Sequence, residues 1–348
     1  MRITFVGDIF PGNMPYNTKY GIGQQMQKDY GNYLSIKKFF EGSDVIAGNL
    51  EAPLICPSDY QSKLTFAGNS YFAKYLRECG FDLVSIANNH ILEHGMAGFE
   101  STMKILNNEG IKYIGKNVDG KSNIFNMQFG DISVCVAAFN DIYDKRLSNT
   151  YAEFSETSIL ATIKEMDKYD PSFKILSFHW GNEYIHLPSH RQINMSRKFI
   201  DNGVDVIIGH HPHVIQPFEK YKKGLIFYSL GNFMFDMIYS KNVRSGILVH
   251  LDLHRNQEIE HEIVPITIDR NFIPQQSEHN ILYNNILEDY SHARSTFYDK
   301  SVSHYEFFFN KKSKRRKLIQ RLRMKKDLIR GIIRRSFSLR QFIFGRIT

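Results

Sequence analysis

Val204-Asp205-Val206-Ile207-Ile208-Gly209-His210-His211-Pro212-His213 is the stretch whose reading decides the fold. Four of its first five residues are β-branched and apolar, and they run into a glycine followed by three histidines in four positions. An apolar run that stops at a glycine reads as a buried strand of a parallel sheet. The carboxyl end of such a strand is where an open α/β sheet binds its ligands. Neutral imidazole nitrogen suits zinc, manganese or iron, so histidines gathered there read as part of a transition-metal site. If the strand pleat persists, His210 points away from His211 and stays out of the metal shell.

Outward from this strand the same alternation recurs on both sides. Upstream come strands at 2–6, 44–47, 81–87, 132–139 and 174–178, and downstream one at 224–230. Between them lie a short helix at 34–40 and helical patterns at 71–79, 96–109, 156–168 and 191–202. Met96, Phe99, Met103 and Leu106 keep helical spacing, and Gly110 follows as a C-cap. Residues 246–253 and 259–268 alternate as a closing antiparallel pair, and the Gly-, Pro-, Asn- and Tyr-rich stretch 11–32 reads as a long loop. Strands alternating with helices predict a layered α/β domain with a largely parallel core. A compositional break near 272–283 divides a domain over 1–272 from an extension over 273–348, which is expected to be helical.

Each predicted strand stops at a polar residue. Asp8 follows the first, Glu51 the second and Asn89-His90 the third; His179 ends a later one, and His211 and His213 follow the quoted strand. Two carboxylates, an amide and several imidazoles suffice to hold one or two divalent ions, with a carboxylate bridging a pair. A pair of ions ~4 Å apart can clamp the attacking and leaving oxygens of a displacement at phosphorus.

Six segments carry a resemblance: Gly7-Asp8, Gly48-Asn49-Leu50-Glu51, Ala87-Asn88-Asn89-His90, His179 to Tyr184, Gly209 to His213 and Ser229 to Asp236. In this order they resemble the motif series of the CapA family of capsule and poly-γ-glutamate synthesis proteins, within the calcineurin-like metallophosphoesterase superfamily. The resemblance implies layered sheets flanked by helices and a metal-dependent, phosphoesterase-like hydrolase of an anionic small molecule or polymer. It implies Asp8 and His213 on a first metal, Asn89, His179 and His211 on a second, Glu51 bridging, and His90 as general acid. Manganese, iron or zinc are the metals implied. The superfamily's opening Asp-x-His is here Asp8-Ile9-Phe10, so one first-site ligand is missing. That gap supports the other reading, a non-catalytic accessory subunit of a membrane-associated polymer synthesis complex.

Residues around this set carry lesser expectations. Glu183 and Tyr184 either orient His179 or contact substrate, and Asn232 and Asp236 read as partners behind the ligands. Lys63 precedes Phe66 as in the family, where a basic residue could face an anionic substrate. His94 stands where the branch has an aromatic residue and reads as an exposed neighbour of the site. Trp180, the single tryptophan, reads as packing beneath it.

The charge is unevenly spread. The net charge is +8, but 15 of the 44 Lys and Arg and only one of the 36 acids lie in 311–348. The remaining 29 basic and 35 acidic residues leave the main body mildly acidic, which argues against a nucleic-acid binder. The tail interleaves its cations with apolar residues at near-helical spacing. Such a segment can lie on an anionic membrane surface, dock on the domain or bind a membrane-bound synthesis protein. No run of 18 apolar residues occurs, and Met1-Arg2-Ile3-Thr4-Phe5 reads as a strand rather than a signal peptide. Cys56, Cys79 and Cys135 form no CxxC and read as reduced thiols. A cytoplasmic protein, peripheral at the inner membrane face, is the expectation.

Overall fold

The computed structural model describes residues 1–12, 21–56, 66–144, 146, 149–238 and 240–277. All of them fall in the first of two units, Met1–Arg294; the second, Ser295–Thr348, lies outside the described residues. Lys63 and the basic segment 311–348 lie outside them as well.

Strand Val206–His210 sits inside a six-stranded sheet ordered Phe218–Tyr221, Gly224–Phe227, Val206–His210, Phe173–His179, Ile132–Asn140, Phe125–Phe129. Its four inner strands are parallel, and both edge strands are antiparallel hairpin partners. Among the described residues a second, eight-stranded sheet runs Pro274–Gln276, Ile259–Ile268, Ser245–Leu253, Arg2–Ile9, Val45–Leu50, Leu83–Ser85, Lys112–Ile114. Its eighth strand, Asn232–Met234, pairs with the far end of Arg2–Ile9. Ser245–Leu253 and Ile259–Ile268 form the antiparallel pair their alternation predicts.

Strand periodicity sets the layers. Ile3, Phe5, Ala47 and Leu83 of one sheet share a buried cluster with Val134, Val136, Ile175, Val206 and Ile208 of the other. Alternate residues face outward, where the strands meet helices. Phe72, Leu76, Phe99 and Leu106, from helices Tyr71–Glu78 and Gly95–Asn108, pack against Ile46 and Val84. On the other outer face Phe178 and Trp180 pack on Phe154, and Phe178 also on Phe199 of helix His190–Asp201. That helix opens with a capping box, Ser189 accepting from Gln192 while the Gln192 side chain accepts from Ser189 N. The result is two sheets face to face with helices outside, the layered α/β fold.

Two local expectations are corrected. The long loop over 11–32 contains helices Ile22–Lys28 and Tyr30–Tyr33, because Ile22, Met26 and Tyr33 are buried in the same cluster as Phe72, Leu76 and Phe99. The short helix at Leu34–Phe40 is a 3-10 helix. Among the described residues no helix is long and apolar enough to cross a membrane.

Candidate metal centre

The polar strand ends meet at one edge of the two sheets. Asp8 gets there by a bulge: Phe5 pairs with Ala47 but Asp8 pairs with Asn49, so Arg2–Ile9 carries one extra residue. The extra residue reverses the pleat and re-aims Asp8, as bulges beside functional sites do. Gly7 is required at this point, since a Cβ there would stand 2.1 Å from Gly231 O. Glu51 lies just past Val45–Leu50, its backbone N donating to Ile9 O at 2.8 Å. Asn89 and His90 follow Leu83–Ser85, and His179 is the last residue of Phe173–His179.

In the quoted stretch the pleat holds through His210, which stays outside the ligand groups, and breaks at His211. Val206, Ile208 and His210 share the inward face of their strand, so His210 turns toward the site rather than away from it. His211 then takes φ 92 and His213 φ 56, and this reversal brings their rings back to the same side. Tyr184 (φ 68) donates its backbone N–H to Pro212 O at 2.7 Å and clasps the turn. Gly209 has no room for a side chain, because a Cβ would meet Tyr228 O at 1.9 Å and Trp180 Nε1 at 2.8 Å.

Among the described residues, two groups of three side chains have donor atoms mutually within 4.8 Å: Glu51, His179 and His211, and Asp8, Glu51 and His213. All five residues are buried, and Glu51 belongs to both groups. Glu51 Oε1 lies 3.4 Å from His213 Nε2 and 3.9 Å from each of His179 Nε2 and His90 Nε2. Asn89 Oδ1 stands 2.9 Å from His179 Nε2, which brings Asn89 to the group of Glu51, His179 and His211.

The donor set fits a cation on chemical grounds. Both Glu51 oxygens and His211 Nδ1 are buried without a hydrogen-bond partner among the described residues. A buried carboxylate left so is costly unless a cation meets it. Burial first, then the charges of Asp8 and Glu183, push the Glu51 carboxyl well above its usual range. Burial also lowers His211 to about 3, with His213 adding to the effect. His179 is driven well below its ordinary value by burial and by His211, His210 and His213. These imidazoles are therefore neutral near pH 7, as metal ligands must be. Burial would raise Asp8, yet His210, His213 and Asn49 hold it below its usual range.

A surrounding shell fixes these side chains. Asn49 Nδ2 donates to Asp8 Oδ1 at 2.9 Å and lies 3.2 Å from His179 Nδ1. His211 N donates to Asp8 Oδ2 at 3.1 Å. Asn232 Oδ1 accepts from His213 Nδ1 at 3.0 Å, while its Nδ2 donates to Val243 O at 2.9 Å. His210 Nδ1 is 3.2 Å from Asp8 Oδ1 but outside hydrogen-bond geometry, and His210 joins neither ligand group. Asp236 is buried beside Phe235, whose ring packs on His213 at 4.9 Å. Glu183 acts on Glu51 and His211 through its charge, and the Tyr184 ring lies 6.2 Å from that of His213. Trp180 is fully buried and donates Nε1–H to Tyr228 O at 3.0 Å.

His90 occupies the rim, with its side chain 18% exposed. Its Nδ1 faces Glu93 Oε1 at 3.2 Å, and its ring stands edge-on to Phe66 at 4.4 Å. Phe10 fills the position after Asp8-Ile9 and is fully buried between Phe66 and Phe235. His94 precedes helix Gly95–Asn108 and joins neither ligand group. Sequence reading missed Asn49 as a partner, although it lies inside a quoted motif. It also missed Glu93 behind His90 and Arg146 behind Glu93, for which spacing carries no signal.

Fold and site together define an α/β protein with a buried candidate metal centre, Glu51 common to its two ligand groups, at the strand ends of two packed sheets. The chain belongs to the family described as bacterial capsule synthesis protein PGA_cap, whose model matches residues 2–237. It is 28% identical over 311 residues to the capsule biosynthesis protein CapA of Bacillus anthracis, covering 84% of this chain and 74% of that one. The PGA biosynthesis protein CapA of Bacillus subtilis (strain 168) is 29% identical over 278 residues, covering 77% and 72%. Among solved structures, the sulfate thiohydrolase SoxB of Thermus thermophilus overlaps 80% of this chain and 58% of its own. The TM-score is 0.47 and the identity 10%.

Proposed function

We propose that this chain is a divalent-metal-dependent hydrolase of the phosphoesterase type, acting in synthesis or processing of a capsular or polyglutamate polymer. The observation that carries this is Glu51, a buried carboxylate shared by two ligand groups with no hydrogen-bond partner for either oxygen among the described residues. Asn89, His179 and His211 would hold one cation with Glu51, and Asp8 and His213 another. A bound cation there supplies Lewis acidity and lowers the pKa of water.

The remaining chemistry belongs to this chain's own side chains. Glu93 accepts at His90 Nδ1, which leaves Nε2 facing the centre to carry a proton to or from a reacting oxygen. Asn49 and Asn232 keep Asp8, His179 and His213 in orientation. The phenyl rings of Phe10, Phe66 and Phe235 give the site an apolar wall that excludes water from one side. Lys63 supplies charge to an anionic substrate.

Turnover of bis(4-nitrophenyl) phosphate with added Mn²⁺ tests the reading. His90→Ala should lose about 10²–10⁴-fold in rate while keeping its metal. His211→Ala should lose both metal and turnover. Indifference of both variants would remove the hydrolase.

Packed Phe10 favours a second reading, an accessory subunit that binds metal without hydrolysis. Under either reading the segment 311–348 brings the chain to anionic lipid or membrane-bound synthesis proteins at the inner face. Its binding to anionic vesicles should weaken with salt, and a chain ending at Asn310 that binds equally well would refute that role.

A further inference from the structure

Arg146 lies outside the ligand set, yet its guanidinium touches the site's two working residues by separate routes. One terminal nitrogen pairs with Glu93 Oε2 at 3.0 Å, and Glu93 Oε1 in turn faces His90 Nδ1 at 3.2 Å. The other terminal nitrogen donates to the backbone O of Asn89 at 2.8 Å. Nε donates to Asp144 Oδ1 at 2.7 Å, and the backbone N of Arg146 donates to the same oxygen at 3.0 Å. Asp144 is almost fully buried, so it fixes the base of the fork.

Arg146 follows strand Ile132–Asn140 of the six-stranded sheet, whereas Asn89, His90 and Glu93 follow Leu83–Ser85 of the eight-stranded one. Each of the three nitrogens of the guanidinium thus has a protein partner. A planar fork with fixed donor directions can set two groups at once; an ammonium on a flexible stem cannot.

We propose that Arg146 is a positioning residue that registers His90 and Asn89 together across the two sheets. It orients the imidazole through Glu93 and the metal-binding amide through the Asn89 backbone. The proposal rests on the metal-centre reading above.

The test compares the full-length protein with Arg146→Ala and Arg146→Lys. It follows Mn²⁺ affinity by calorimetry, the ¹⁵N spectrum of labelled histidine (His90 assigned with His90→Ala), and phosphodiester turnover. Arg146→Ala should lower kcat by about 10- to 100-fold with little change in KM, and weaken Mn²⁺ by about tenfold. The His90 signal should change from a single Nδ1–H tautomer to a mixture. The Arg146 side chain is 33% exposed, so non-denaturing guanidinium chloride can enter the vacated space and restore much of the loss. Arg146→Lys should recover only part. An unchanged His90 signal with unchanged Mn²⁺ affinity would overturn the proposal. So would losses that guanidinium leaves untouched and that follow a lowered melting temperature. If the wild type hydrolyses no phosphodiester, the functional reading fails, while the His90 spectrum and Mn²⁺ affinity still decide the role of Arg146.

Discussion

Asn89 Oδ1 stands 2.9 Å from His179 Nε2, although 90 residues separate them in sequence and their strands belong to different sheets. His179 donates to the amide oxygen in this arrangement, and a cation between them would turn the pair into two ligands. Both sheets must therefore be in place before this half of the centre exists.

Asn89→Ala should accordingly weaken divalent-ion binding by at least the roughly 10- to 100-fold that loss of a supporting partner costs. The fold should survive, because the side chain bonds only within the site. Calorimetric titration with Mn²⁺, alongside a thermal melt without metal, checks both halves of the expectation.

The response to pH follows from opposite shifts. Glu51 is raised, by burial first and then by Asp8 and Glu183, so the stability lent by its proton is present in acid. That stability is lost as pH climbs through the raised value. His179 and His211 are lowered, His211 to about 3, so they cost stability as pH falls below their ordinary 6.5 and the unfolded chain takes up protons. A divalent ion held by Glu51 would replace its proton. Its gain in melting temperature should be larger at about pH 8 than at about pH 5.5, with protons released on binding. Equal gains at both pH values and no proton release would count against this assignment.

Gly209→Ala tests how tightly the histidine turn is built. Its Cβ would fall 1.9 Å from a backbone oxygen, which no rotamer change can relieve. A loss of about 3 kcal/mol is expected in urea unfolding, and metal affinity should fall with it because His210 and His211 follow directly. An unperturbed midpoint would mean that the strand and Tyr228 are less closely apposed than described.

Much of this was legible in the chain. Period-2 alternation exposed the antiparallel pair at 246–253 and 259–268, and apolar runs ending in polar residues located Asp8, Glu51, Asn89, His179 and His211 at strand ends. Those signals are local, which is why they survive in a bare sequence. What did not survive depends on register or on the other sheet. The pleat argument kept His210 out of the ligand groups, but it cannot foresee the positive φ at His211 that brings the later rings back to the same side. The bulge that re-aims Asp8 is a property of pairing with Val45–Leu50, not of residues 2–9. Helix Ile22–Lys28 was hidden because its buried residues, Ile22 and Met26, sit among glycines, glutamines and tyrosines. Arg146 gave no sign at all, since nothing in its own neighbourhood says that Glu93 awaits it.

Metal content of the purified protein, by elemental analysis of wild type and Glu51→Gln, tests the central claim most directly. If Glu51 is the carboxylate common to both ligand groups, the wild type retains at least one divalent transition ion per chain after desalting. Glu51→Gln then retains none, while still folding. A metal-free wild type that stays so under excess Mn²⁺ or Zn²⁺, or a Glu51→Gln protein with undiminished metal, would contradict the account.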